Sequence, residues 1–173
     1  GFARNLKFTL EGNSPARLIR YLIERVVRHS NISVYLKSRL VSHSGHSGAF
    51  NGTVQTEDGP VDIQYGAVIA ATGGQPYEPR EYLYGKDERI LTQGEFSKRV
   101  LEEPFGGPRV NRGVMIQCVG SRDAERPYCS RICCAEAVKN ALKIKELSPR
   151  TNVYVLYRDI RTYGFRESLY TKA

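Results

Sequence analysis

All four cysteines of the chain fall within one stretch, Ile116 to Leu142, which reads IQCVGSRDAERPYCSRICCAEAVKNAL. That concentration constrains the fold, because the local elements must bring Cys118, Cys129, Cys133 and Cys134 into one neighbourhood. An apolar run from Val114 to Val119 leads into the first cysteine and predicts a strand over 113–119. A polar loop follows, with Gly120, Asp123 and Pro127. Helical spacing then predicts a helix over 129–147, ended by Pro149. A second apolar run predicts a strand over 153–158, so this part of the chain reads strand–helix–strand. On such a helix Cys129 and Cys133, four residues apart, would lie one above the other, and Cys134 would be offset by about a third of a turn.

The first turn of a helix offers unpaired N–H groups and positive dipole character, both of which favour thiolates and a negatively charged iron–sulfur centre. Zinc also takes four thiolates, but its usual signature is a pair of C-x2-C knuckles, which this chain lacks. A disulfide would need an oxidising compartment that nothing here signals. Four small buried apolar residues would also account for the cysteines, since free cysteine packs well in cores. The residues alone leave these alternatives open.

Elsewhere the chain changes character several times. Residues 1–13 read as irregular. Ser14-Pro15 starts a helix, with Ser as N-cap and Pro in the first helical position. Leu18, Ile19, Leu22, Ile23, Val26 and Val27 take one face of it, and Arg17, Arg20, Glu24 and Arg28 the other. Short strands are expected at 33–36, 40–44, 50–56 and 61–64, as a meander with a Gly-rich turn at 44–48 and a hairpin turn at Asp58-Gly59. Ala67 to Ala71 is a continuous apolar run of the kind buried on both faces of a sheet. It ends in Thr72-Gly73-Gly74, where small residues let a ligand approach the backbone. His29, His43 and His46 are scattered and read as structural. Residues 75–108 form a connector with Pro76, Pro79, Gly85, Pro104 and Gly106-Gly107-Pro108, and Tyr82 and Tyr84 read as surface or interface residues. Within the connector a helix is expected from Thr92 to Leu101, with Glu95 as the capping-box partner of Thr92.

The formal net charge is +8, but the basic residues are dispersed and no nucleic-acid recognition motif accompanies them. They read as wet surface or as docking surface for acidic partners. No apolar run is long enough to span a bilayer and no signal peptide opens the chain, so a cytoplasmic protein without a membrane span is expected. Gly1-Phe2 without an initiator Met suggests an internal fragment.

The run CVGSRDAERPYCSRICCAEAVKNALKIKEL, followed by VYVLYRDIRTYGFRE, resembles the HdrA-type subunit of heterodisulfide reductase and its relatives. These are flavin and iron–sulfur proteins with a thioredoxin-reductase-like core. The C-x10-C-x3-C-C spacing carries much of the resemblance, which covers most of the chain and is strongest from Gly66 onward. It implies that Cys118, Cys129, Cys133 and Cys134 ligate a [4Fe–4S] cluster close to FAD. It further implies that Ala71, Thr72, Gly73 and Gly74 lie on the flavin side. From its place one to two turns beyond the cysteines, Lys139 reads either as an ordinary, partly exposed helix-surface lysine or as a cation that faces the flavin ring and stabilises its negative charge.

The implied fold class is α/β, a partial two-dinucleotide-domain flavoprotein with a β-meander and a βαβ unit. Residues 1–80 would belong to the FAD half, 81–112 to the connector and 113–173 to a partial NAD-domain-like unit. No G-x-G-x-x-G appears in either half, so NAD(P)H binding is not expected, and the chain by itself is not expected to hold FAD or to be active alone. The implied function is electron relay between a [4Fe–4S] cluster and FAD in a heterodisulfide-reductase-like oxidoreductase. Its expected partners are the other subunits of such a complex and iron–sulfur electron carriers, with room for a homodimer. The alternative is a zinc-stabilised or cofactor-free interaction module. An NAD(P)H-dependent disulfide reductase ranks lowest, for want of C-x-x-C and a nucleotide loop. Arg158, Arg161, Tyr163 and Arg166 form a basic–aromatic turn that would close over the site or dock a partner.

Overall fold

A computed structural model describes residues 2–9, 11, 13–102 and 110–173. The chain divides into two compact units, Arg20–Gly74 and Gly1–Ile19 with Gln75–Ala173. Pro104, Gly106, Gly107 and Pro108 of the expected connector lie outside the described residues.

Helix α1 (Pro15–Val27) starts where Ser14-Pro15 predicts, and its apolar stripe, Leu18, Leu22 and Ile23, remains about half exposed. In the 20–74 unit, β1 (Arg39–His46), β2 (Ala49–Thr56) and β3 (Gly59–Tyr65) form an antiparallel sheet in sequence order. A register shift between Leu40 and Ser42 puts an irregularity into β1. The β2–β3 turn is Glu57-Asp58, one residue earlier than expected, and Gly59 already begins β3. His43 is structural: its Nδ1 meets the Tyr65 hydroxyl at 2.6 Å and its ring lies 4.8 Å from that of Phe50.

Two expected strands do not form. Ser33–Leu36 stays irregular, and Ala67–Ala71 is neither a strand nor buried. Ile69 is 91% exposed. A strand buried on both faces needs pairing neighbours and covering layers. Among the described residues no strand pairs beyond β3, so the apolar run lacks both.

The other unit contains a short 3-10 turn at Phe2–Asn5, α2 (Gln93–Glu102), β4 (Arg112–Ile116), α3 (Cys133–Leu147), β5 (Asn152–Leu156) and α4 (Glu167–Lys172). Strands β4 and β5 pair in parallel, with Gly113 opposite Val153 and Met115 opposite Val155, which makes β4–α3–β5 the expected βαβ unit. Its core is Met115, Ala137 and Ile144, packed by Phe96, Ala141, Val153 and Val155. Thr151 Oγ1 donates to Val110 O at 2.7 Å and ties the starts of the two strands together.

Helix α3 begins four residues later than expected, so Cys129 is in the loop and not on the helical face with Cys133. Arg131 adopts φ +60, a left-handed conformation that a right-handed helix cannot continue through. Strand β4 likewise stops at Ile116, because Cys118 has φ +63 and turns the chain out of the extended conformation.

Helix α2 shows its capping box in full. Thr92 N–H donates to Glu95 Oε2 at 2.7 Å, and Glu95 N–H returns to Thr92 Oγ1 at 3.3 Å. Tyr84, expected as a surface or interface residue, donates its hydroxyl to Glu95 Oε1 at 2.9 Å. Burial pushes the Glu95 pKa up, but the bonds from Thr92 and Tyr84 outweigh it and hold the pKa below the ordinary 4.5. A pKa lowered on folding adds stability that is present above the unfolded value and lost as pH falls through the folded one. Glu95→Ala is therefore expected to cost about 1 kcal/mol at pH 7 and much less at pH 3. Urea unfolding at the two pH values measures this, and an equal cost at both would contradict the charge-assisted cap.

Candidate metal centre

The loop between β4 and α3 positions the thiols. It is closed on itself by Arg122 N–H to Tyr128 O at 3.2 Å and Asp123 N–H to Arg126 O at 3.2 Å. Gly120 has φ +66, and a Cβ there would fall inside the Tyr77 ring. The ring of Tyr77 thus packs against bare backbone, and the Arg126 guanidinium lies 4.7 Å from its centroid. A second strap comes from beyond β5. Arg122 is hydrogen-bonded and ion-paired with Asp159, and Arg158 donates to Arg122 O. Arg161 Nε holds the other oxygen of Asp159 at 2.7 Å. Two of the four basic–aromatic turn residues, Arg158 and Arg161, therefore fasten this strap, whereas Tyr163 and Arg166 stay exposed.

The four thiols are free, three of them partly exposed and Cys134 buried. Cys134 Sγ donates to Asp159 O at 3.9 Å, and Cys129 Sγ accepts the Arg131 N–H at 3.3 Å. Burial first, and then the nearby Cys133 and Cys118 thiols, push the Cys134 pKa above its ordinary 9.0 against a lowering main-chain hydrogen bond from Arg161. Among the described residues no side chain caps α3, so its first turn leaves N–H groups without side-chain partners beside Cys133 and Cys134. Among the described residues, no three His, Cys, Asp or Glu side chains converge into a group that would hold a single metal ion. Cys134 is expected to be the last of the four to be alkylated by iodoacetamide at neutral pH, because reaction needs an accessible thiolate. Mass-spectrometric mapping reads the order, and labelling of Cys134 as fast as Cys129 would contradict its burial.

The donor set nonetheless fits an iron–sulfur centre. All four free thiols lie between the end of β4 and the first turn of α3, and the buried Gln117 amide beside Cys118 has no hydrogen-bond partner among the described residues.

Lys139 is buried, not partly exposed as its place on α3 predicts. Its ammonium lies 2.6 Å from Glu136 and 4.5 Å from the centre of the Phe8 ring, and donates to Phe8 O at 3.4 Å. Ala71–Gly74 is irregular and exposed, with Gly73 at φ +74. Sequence reasoning passed over Tyr77, Gln117, Arg122 and Asp159. The adjacency of Gln117 and Arg122 to Cys118 was the only available signal, and nothing in the sequence marked Asp159 or Tyr77.

Fold and site together define an α/β chain whose parallel strand–helix–strand unit carries four free cysteines between its first strand and the first turn of its helix. No protein-family model matches it. The chain is similar to a segment of the A-type subunit of heterodisulfide reductases. It is 36% identical over 129 residues to the A-type subunit of the H(2):CoB-CoM heterodisulfide,ferredoxin reductase of Methanothermobacter thermautotrophicus, a match covering 65% of this chain and 20% of that protein. It is 37% identical over 129 residues to the A-type iron-sulfur subunit of the CoB–CoM heterodisulfide reductase of Methanocaldococcus jannaschii, with the same coverage. The corresponding subunit of the Ferredoxin/F(420)H(2)-dependent CoB-CoM heterodisulfide reductase of Methanosarcina acetivorans is 36% identical over 137 residues, covering 69% of this chain and 17% of the relative. The chain thus spans about a fifth of the length of these curated relatives. Among the described residues no helix is long and apolar enough to cross a membrane.

Proposed function

We propose that this chain is the cluster-bearing segment of a heterodisulfide-reductase-like oxidoreductase, with Cys118, Cys129, Cys133 and Cys134 as ligands of a [4Fe–4S] centre. When bound, the centre supplies one-electron transfer, to and from FAD in this reading. The observation that carries the reading is that all four free thiols of the chain fall in the short segment between the end of β4 and the first turn of α3. The protein's part is to position and tune. Main-chain N–H groups at Arg131 and in the first turn of α3 favour thiolates, and the Arg122–Asp159–Arg161 strap holds the loop closed against β5. Lys139 adds a buried cation beyond Cys134, moderated by Glu136.

The same reading makes Ala71, Thr72, Gly73 and Gly74 flavin-side residues and gives Lys139 the task of offsetting charge on the reduced flavin. It takes residues 1–80, 81–112 and 113–173 as FAD half, connector and NAD-domain-like half of a two-dinucleotide fold. Its partners would be the remaining subunits of a reductase complex and iron–sulfur carriers. Similarity to proteins named as reductase subunits supports the expectation of partner subunits.

The test is iron and acid-labile sulfide analysis, with a visible spectrum, on protein purified without oxygen. About four iron and four sulfide per chain, with brown absorption that bleaches on reduction, is the expected result. Stoichiometric zinc without sulfide, persisting after anaerobic iron–sulfide reconstitution, would overturn the proposal and leave a zinc-stabilised module.

A further inference from the structure

Gln117 immediately precedes the first cysteine. Its side chain is buried, with the residue 7% exposed, yet neither Nε2 nor Oε1 has a hydrogen-bond partner among the described residues. Its main chain is satisfied, since the N–H bonds Leu156 O at 2.9 Å and extends the β4–β5 pairing. The side-chain amide alone is stranded, and a buried amide without a partner is costly enough to call for an explanation.

Its direction follows from the strand. Side chains alternate along β4, so Gly113, Met115 and Gln117 share one face. Along that face, a Cβ at Gly113 would meet Ile144 of α3 at 4.0 Å. Met115 packs with Ala137 and Ile144. Strand and helix therefore run in opposite senses, and the next position on the face, Gln117, lies toward the first turn of α3, where Cys133 and Cys134 begin the helix.

We propose that Gln117 Nε2 donates a hydrogen bond to a sulfur of the centre held by Cys118, Cys129, Cys133 and Cys134, which makes Gln117 a positioning residue that sets its potential. The inference rests on the cluster reading above. A donor aimed at sulfur stabilises the more negative, reduced state and so raises the potential.

The experiment compares the wild-type full chain with Gln117→Leu and Gln117→Glu, each purified and reconstituted without oxygen. Three quantities are read: iron and sulfide content, midpoint potential, and melting of the cluster-free protein. Gln117→Leu is expected to load the cluster with a potential lowered by ~59 mV, a tenfold change in a one-electron equilibrium. The cluster-free Leu variant is expected to melt about 2–4 °C above wild type, because an orphaned amide has been replaced by an apolar group. A wild-type chain that takes up no iron and sulfide overturns the cluster reading and this inference together. A loaded Leu variant with unchanged potential, or a cluster-free Leu variant that melts below wild type, overturns the donor role alone. If Leu melts as expected but does not load, Gln117→Glu decides, since it keeps the shape and loses the donor. A lowered potential or loss of the cluster there supports the role, and an unchanged potential overturns it.

Discussion

Each of the four single Cys→Ser variants is expected to lose the proposed iron–sulfur centre, falling from about four irons per chain to near background after anaerobic reconstitution. Serine is a harder donor than thiolate and matches a soft iron–sulfur centre poorly. Loss of any one ligand leaves one iron without its protein bond. The effect should be uniform across Cys118, Cys129, Cys133 and Cys134, although their settings differ: Cys134 is buried on α3 and Cys129 partly exposed in the loop. In the cluster-free chain the variants should separate. Cys129→Ser should leave unfolding unchanged, whereas Cys134→Ser should cost about 1 kcal/mol by burying a hydroxyl. Iron and sulfide assays with urea unfolding read both. Full iron retained in any variant would remove that cysteine from the ligand set.

The second large effect is expected at Asn140, which is fully buried between α2 and α3. Its Nδ2 donates to Gln93 Oε1 at 2.7 Å and to Gln93 O at 3.2 Å, and its Oδ1 accepts from the Ser97 hydroxyl at 2.8 Å. Every polar atom of this amide is used, so it latches the helix that starts at Cys133 onto α2. Asn140→Ala is expected to cost about 2–4 kcal/mol, through lost bonds and a cavity. In a chain of this size that is a fall in Tm on the order of 5–15 °C. Asn140→Asp is expected to be worse at pH 7 and to recover toward pH 4, because a buried carboxylate is relieved by protonation. Thermal melts across pH measure this, and a Tm unchanged in Asn140→Ala would show that the latch carries no stability.

Local chemistry makes several elements legible in the sequence. Pro after Ser sets the start of α1, and Thr92 with Glu95 sets the start of α2. The turn residues at 44–48 and Asp58-Gly59 set off β1–β3, and the apolar runs around the cysteines yield a parallel βαβ unit. In these places the deciding interactions span a few residues. Misreadings arise where the deciding interactions are remote. Ala67–Ala71 has the composition of a buried strand, but burial needs neighbours, and no described strand supplies them. The helical face shared by Cys129 and Cys133 fails at a single left-handed residue, Arg131, whose identity gives no hint of its conformation. Lys139 looks like a surface residue until Phe8, 131 positions away, closes over it.

For the candidate centre, the sequence by itself determined the donor set and its spacing, because thiol chemistry is a property of residue type. Only the tertiary structure decided how that set is held. Asp159 and Arg161 return from beyond β5 to fasten the loop, Tyr77 packs on Gly120, and Gln117 is turned inward without a partner. These depend on which distant segments meet, and a linear pattern carries no record of that.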